Sequence, residues 1–161
     1  MQNSNRETAT LAMGCFWGPE AFYKPIKGIL DTTVGYTGGR VADPTYEQVC
    51  GGDTGHAEAI EIVFDPSVIT YGQILDHFWE HHDPSAFHRQ GPDVGEQYRA
   101  AIFYHNDAQK AEALASKDRF IERHKFSKPI VTEIVEAGPF YAAEEYHQDY
   151  ADKHSSYVCH I

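Results

Sequence analysis

Cysteine is scarce, with three in 161 residues, and Cys15, Cys50 and Cys159 lie far apart. That excludes the disulfide framework of a small secreted domain and leaves a reactive thiol, or a transient pair in a reducing compartment, as the use to look for. Basic charge is scarce too. The 13 Lys and Arg stand against 24 Asp and Glu, a formal charge of -11, and they form no dense patch. A nucleic acid, whose phosphates must be neutralised, is therefore not expected as a partner. No run approaches the about eighteen apolar residues of a membrane span, and the first residues, MQNSNRETATLAMG, lack the apolar centre of a signal peptide. No membrane association is expected, and a cytoplasmic location is. Repeats and low-complexity segments are absent, and the length suits a single domain over 1–161.

What is present is an alternation of strands and helices. Residues 8–13 read as a buried strand running into Gly14-Cys15, and Pro19 is suited to open a helix over 20–27 that Gly28 ends. Cys15 then stands at a strand-to-helix junction, where backbone N–H groups and the helix dipole favour a thiolate. A strand over 32–36 follows, then a Gly- and Pro-rich stretch with one helical turn over 45–50, then an alternating strand over 56–64. In that strand Glu58 shares a face with Ile60, Ile62 and Phe64, which makes it a candidate buried carboxylate. Helical spacing over 70–82 stops at Asp83-Pro84. An irregular stretch leads into a strand over 98–104, a helix over 108–124 capped by Asn106-Asp107, a strand over 129–135 and a short helix over 142–152. Residues 155–161 show no periodicity and read as a flexible C-terminal tail. The fold expected is α+β: a two-layer sandwich of a mixed or antiparallel sheet with helices, a ferredoxin-like core, and long loops kept for function.

GCFWGPE at 14–20 sets a thiol between an apolar strand and two large rings. GYTGG at 35–39, PTYEQVCGGDTGHAEA at 44–59, HDP at 82–84, RQGPDVGEQYR at 89–99 and EYHQDY at 145–150 follow in order. Together these segments resemble the peptide methionine sulfoxide reductases of the A type, from residue 11 to about 160. The resemblance implies Cys15 as the nucleophile that attacks the sulfoxide sulfur. It implies Glu58 as the acid that holds and protonates the sulfoxide oxygen, with Tyr46 and Tyr98 beside it, and Phe16 and Trp17 as the rings around the substrate's methyl group. Asp93 is implied near the site, ordering water or meeting the substrate's backbone, although Pro92 stands where asparagine is more usual. Cys159, in the tail, is implied as the thiol that resolves oxidised Cys15, with thioredoxin or a similar dithiol as reductant and Cys50 as a possible secondary thiol. Selectivity for the S epimer of methionine sulfoxide, free or in proteins, is implied as well. No cofactor and no metal are called for, and a monomer is expected.

The chemistry asks for the same residue types. A sulfoxide oxygen leaves poorly until it is protonated, so a site needs a thiolate on one side of the sulfur and an acid on the other. A surface Glu, with a pKa of ~4.3, is ionised at neutral pH, whereas burial among apolar neighbours raises it. Tyrosine hydroxyls donate without charge, and aromatic faces suit a methyl group. The sulfenic acid left on Cys15 condenses readily with a second thiol. Other thiol chemistries stay open at this point. A thiol peroxidase would share the sulfenic acid but not need the cage of acid and tyrosines. A cysteine hydrolase would need His56 or His147 beside Cys15, and in a peptide-binding module Cys15 would be incidental. His77 and His81 lie one helical turn apart, with His82 and His88 behind them, a spacing that can hold zinc, but no HExxH arrangement accompanies them. GYTGG and CGGDTG match neither a GxGxxG fingerprint nor a phosphate loop, so nucleotide binding is not supported.

Overall fold

The computed structural model describes residues 6–51, 54–90 and 93–148. The tail over 155–161, with Cys159, lies outside the described residues, as does the end of the helix expected over 142–152. The chain runs β1 (Glu7–Met13), α1 (Trp17–Tyr23), β2 (Ile29–Thr37), α2 (Tyr46–Cys50), β3 (Ala57–Phe64) and α3 (Tyr71–Glu80). A short pair, β4 (Arg89–Gln90) and β5 (Asp93–Val94), precedes a 3-10 turn (Glu96–Tyr98) and β6 (Ala100–Tyr104). Then come α4 (Asp107–His124), β7 (Glu133–Glu136), β8 (Phe140–Ala142) and a second 3-10 turn (Glu145–His147). Six strands form one mixed sheet in the order β7-β6-β1-β3-β2-β8, antiparallel except for the parallel pair β6 and β7.

The period-two pattern divides the sheet into two faces. Leu11 and Met13 of β1, Ile60 and Ile62 of β3 and Ile102 of β6 join one core with Tyr23 of α1, Leu75 and Phe78 of α3 and Ala113 of α4. Burying each large apolar side chain contributes about 1.5–3 kcal/mol, so this helix-covered face carries most of the packing energy. On the other face Ala12, Ala57, Ala59, Ala101 and Phe103 make a thinner cluster against Ala137 and Phe140. Glu58 falls by alternation on the side of Ile60 and Ile62, which places a carboxyl at the edge of the main core. Thr45 and Thr70 open α2 and α3 with the same capping box. Each hydroxyl accepts from the N–H three residues on, and Gln48 and Gln73 accept from the caps' own N–H groups.

Boundaries differ from the expected ones where other groups claim the backbone. α1 starts at Trp17, two residues before Pro19, and ends at Tyr23 because Pro25 has no N–H to continue the ladder. Tyr98 closes a 3-10 turn, its N–H donating to Gly95 O at 3.0 Å, so the strand expected from 98 begins at Ala100. The strand expected over 129–135 lies at Glu133–Glu136, since Pro129 offers no donor and Val131 gives its N–H to Pro84 O. In place of the start of a helix at 142, the chain ends β8 and is pinned to β2 by Ala143 N–H and the Gln148 side chain, both donating to Val34 O. No helix among the described residues is long and apolar enough to cross a membrane.

Candidate active site

β1 delivers Cys15 to one end of the sheet. Gly14 turns the chain out of the strand with φ +101°, a conformation L side chains rarely adopt, and a Cβ there would stand 2.9 Å from Gln90 Cβ. Gln90 is locked in turn, its Oε1 accepting from Asp83 N–H and its Nε2 donating to Asp83 O, both at 2.9 Å. Cys15 is a half-buried thiol two residues ahead of α1, at the strand-to-helix junction expected for it.

The residue after the thiol reaches the acid. Phe16 donates its backbone N–H to Glu58 Oε1 at 3.3 Å. Glu58 is 1% exposed, and its Oε2 is buried with no hydrogen-bond partner among the described residues. Desolvation pushes the carboxyl up to about 8, the Phe16 N–H opposes the shift, and the Asp93 carboxylate adds to it. At neutral pH most of this group is therefore protonated, and it can hand its proton to an acceptor beside it.

Tyr46 opens α2 and Tyr98 closes the turn before β6; both are half-buried. Burial first, then neighbouring charge, holds both phenols protonated far above their ordinary range. For Tyr46 the next causes are a hydrogen bond with Cys50 and the charge of Glu58; for Tyr98 they are the charges of Glu58, Cys50, Cys15 and Asp93. Tyr98 thus lies within electrostatic reach of Cys15, Glu58 and Asp93, and Tyr46 within reach of Glu58 and Tyr98. Asp93 gets there through β5, where it pairs with Gln90. Cys50 is exposed as a residue, yet desolvation holds its thiol above the ordinary value against the lowering effect of the Tyr46 hydrogen bond.

Phe16 is buried and Trp17 half-buried, and both meet a residue whose part the sequence left open. The His147 ring centre lies 5.3 Å from Phe16, 5.6 Å from Trp17 and 4.4 Å from Tyr46. Its Nδ1 accepts from Trp17 Nε1–H at 3.2 Å, which assigns the proton of the neutral ring to Nε2. Burial lowers the imidazole pKa, opposed by Glu144 and Glu47, so the ring stays neutral and orients the indole. Glu144 was missed altogether. Its carboxylate accepts the Tyr36 hydroxyl at 3.0 Å and the Tyr46 N–H at 2.9 Å. The available signal was the spacing of Glu144 and His147, three apart and so on one side of a turn.

The histidines at 56, 77, 81 and 82 are engaged elsewhere. His56 Nδ1 accepts from Gly39 N–H at 3.0 Å and its Nε2 donates to Val41 O at 2.6 Å, so neither nitrogen is available as a base for Cys15. Only glycine allows that approach, since a Cβ on Gly39 would stand 2.4 Å from His56 N. His77 and His81 lie against the Phe22 ring at 5.5 and 3.9 Å, and His82 bonds Phe78 O at 2.7 Å and Thr132 Oγ1 at 3.0 Å. Among the described residues no group of three or more His, Cys, Asp or Glu could hold a metal ion.

A family model described as peptide methionine sulfoxide reductase matches residues 7–161. The peptide methionine sulfoxide reductase MsrA of Methanosarcina acetivorans is 57% identical over 147 residues, which are 91% of this chain and 78% of that protein. The reduced form of Mxr1 from Saccharomyces cerevisiae is similar with a TM-score of 0.90 and 38% identity, covering 98% of this chain and 91% of that one. Mxr1 in complex with Trx2 is similar with a TM-score of 0.59 and 28% identity, covering 93% and 88%. The match begins with β1, which leads into Cys15, and runs through Glu58, Tyr46, Tyr98 and the Glu144–Gln148 segment, so the chain belongs to the peptide methionine sulfoxide reductase A family.

Proposed function

We propose that this chain reduces the S epimer of methionine sulfoxide, free or within proteins, to methionine, with Cys15 as nucleophile and Glu58 as acid. The observation that carries this is Glu58, a carboxyl raised to about 8 that takes its hydrogen bond from the residue next to the thiol. A standing acid beside a thiol suits the protonation of a sulfoxide oxygen; a thiol peroxidase does not need one, and a hydrolase needs a base instead.

In the reaction Cys15 attacks the sulfur while Glu58 gives its proton to the oxygen. The Tyr46 and Tyr98 hydroxyls donate to the same oxygen as charge grows on it. Phe16 and Trp17 hold the methyl group, and Asp93 orders water or meets the substrate's backbone. The sulfur–oxygen bond breaks and the protonated oxygen leaves as water. A water then attacks Cys15 Sγ, and the sulfur–sulfur bond breaks with its electron pair going to the methionine sulfur. Methionine leaves with Cys15 as a sulfenic acid, so the sulfoxide has gained the two electrons that the thiol has lost. Cys159 condenses with the sulfenic acid, releasing water and forming a disulfide, which a thioredoxin-like dithiol then reduces by exchange. The complex of Mxr1 with Trx2 supports that partner. Cys50, bonded to Tyr46, is the possible secondary thiol, and burial, which holds its thiol above the ordinary value, favours Cys159 over it as the resolving one.

We read the catalyst as a single-domain monomer of the cytoplasm, a compartment that the low cysteine count and the need for a dithiol support. The antiparallel run β6-β1-β3-β2, with α1 leading from β1 to β2, supports a ferredoxin-like core. The test is turnover of separated S and R epimers of a blocked methionine sulfoxide with dithiothreitol as reductant. Reduction of the S epimer alone, lost in Cys15→Ser, is expected; turnover of neither epimer, or of both equally, overturns the reading. With thioredoxin as reductant, Cys159→Ser should release one methionine per chain and stop.

A further inference from the structure

We propose that Glu144 is a positioning residue for this reaction, acting through Tyr46: its carboxylate fixes where the Tyr46 hydroxyl stands relative to Glu58. The proposal rests on the reading of Tyr46 as a donor to the sulfoxide oxygen.

Tyr46 belongs to a helix of five residues, far too short to hold itself together against the cost of helix nucleation. The Thr45 capping box secures the helix start but does not tie it to the sheet. Glu144 supplies that tie. One carboxylate oxygen accepts the Tyr46 N–H at 2.9 Å, and the other accepts the Tyr36 hydroxyl at 3.0 Å. Tyr36 is fully buried in β2 and is the sheet partner of Glu58 in β3. A single anionic side chain therefore spans from the backbone of the proposed donor to the residue paired with the proposed acid. Hydrogen bonds to an ionised acceptor are the short and strong ones, and two of them fix a position better than one.

The same turn completes the setting of Tyr46 from its other end. His147, three residues after Glu144, lays its ring 4.4 Å from the Tyr46 ring and accepts the Trp17 indole N–H. Backbone and ring of Tyr46 are thus both set by one segment. That segment does not depend on Glu144 for its own docking, since Ala143 N–H donates to Val34 O at 2.9 Å and the Gln148 carboxamide bonds both Val34 N–H and Val34 O. The distinctive contribution of Glu144 is to Tyr46, and removing its carboxylate leaves the segment attached while letting the donor wander. A misplacement of a catalytic donor lowers the rate of the chemical step and leaves binding of the methyl-bearing sulfur nearly as it was.

The test is a double-mutant cycle on single-turnover methionine release from a blocked S sulfoxide, with Glu144→Ala, Tyr46→Phe and the pair. Expected are a rate about tenfold slower in each single variant, an apparent KM within about twofold of wild type, and a pair no slower than Tyr46→Phe alone. Glu144→Gln should recover most of the rate, because its amide can accept from Tyr46 N–H and donate to the Tyr36 hydroxyl. Tyr36→Phe, which removes only a hydroxyl, should cost about threefold, and nothing further in the Tyr46→Phe background; it serves even where Glu144→Ala folds poorly. A slow Tyr46→Phe whose defect multiplies with that of Glu144→Ala or Tyr36→Phe would overturn the positioning role alone. A wild-type rate in Tyr46→Phe would overturn the donor reading and this proposal with it.

Discussion

Two regions of the site each hold a glutamate close to Tyr36 and Tyr46, and they treat it in opposite ways. At the start of β3, Glu58 receives one backbone N–H at 3.3 Å and is pushed up to about 8. In the segment after β8, burial also raises the Glu144 carboxyl, but the Tyr46 N–H, its own backbone N–H and the Tyr36 hydroxyl outweigh it and hold the group below its ordinary value. Burial alone does not decide what a carboxyl becomes. Depth and donors act together: Glu58, 1% exposed with one long contact, keeps a proton to give, and Glu144, only half-buried with two short ones, is fixed as an anion.

The largest test of that contrast is Glu58→Gln, which keeps the shape and the Phe16 contact but has no acid proton. Single-turnover methionine release should fall at least about a hundredfold with the fold retained, and near-wild-type release would break the assignment of roles.

The pH dependence should be next in size. With Glu58 in the proposed acid role the protonated form is the working one, and single-turnover rates should fall as pH rises through about 8. Stability follows the same titration. The folded pKa of Glu58 lies above the unfolded value of ~4.3, so the native state binds the extra proton between the two and loses stability as pH rises across that window. Glu58→Gln should therefore gain stability relative to wild type from pH ~5 to ~9. Glu144 has the opposite sign: its folded pKa is lowered, so its contribution is present above the unfolded value and is lost as pH falls through the folded one. The cost of Glu144→Gln should be full at neutral pH and shrink in acid. Urea unfolding of both variants at several pH values compares them, and parallel trends would erase the distinction.

The smallest effect comes from Gly14→Ala. With φ at +101° and Gln90 Cβ 2.9 Å away, the methyl group must displace the Cys15-Phe16 backbone, at a cost of about 1 kcal/mol or more. Loosening the Phe16 N–H removes the one donor Glu58 has among the described residues, so the midpoint of the rate profile should move to higher pH. A midpoint at or below that of wild type would mean that this contact is not what restrains the carboxyl.

Parts of this arrangement were open to inspection in the sequence because they follow from local rules. Strict alternation set Glu58 among Ile60 and Ile62, and Gly14-Cys15 after an apolar run marked the junction. Thr45 with Gln48 is a capping box readable from spacing alone. The motif resemblance added the roles of Tyr46 and Tyr98, which alternation could not separate from eight other tyrosines. What stayed hidden depends on partners distant in the chain. Glu144 bonds residues 98 and 108 positions away, and His147 meets an indole 130 positions away. Polar residues in a short periodic stretch look like the outer side of a helix until those partners are known. Tyr98 reads as the start of a strand for a different, local reason: the Gly95 carbonyl three residues before it claims its N–H in a turn with no periodicity.

The Gln148 side chain has a consequence for the rim of the sheet. β8 pairs with β2 only as far as Gly35 and Ala142, and Val34 comes next on β2. There the Gln148 carboxamide accepts Val34 N–H at 3.0 Å and donates to Val34 O at 2.9 Å, as a peptide unit of a longer β8 would. The side chain substitutes for a strand where the strand has stopped. With Val34 N–H and O both taken, the rim at this residue offers no unpaired backbone group to an added strand.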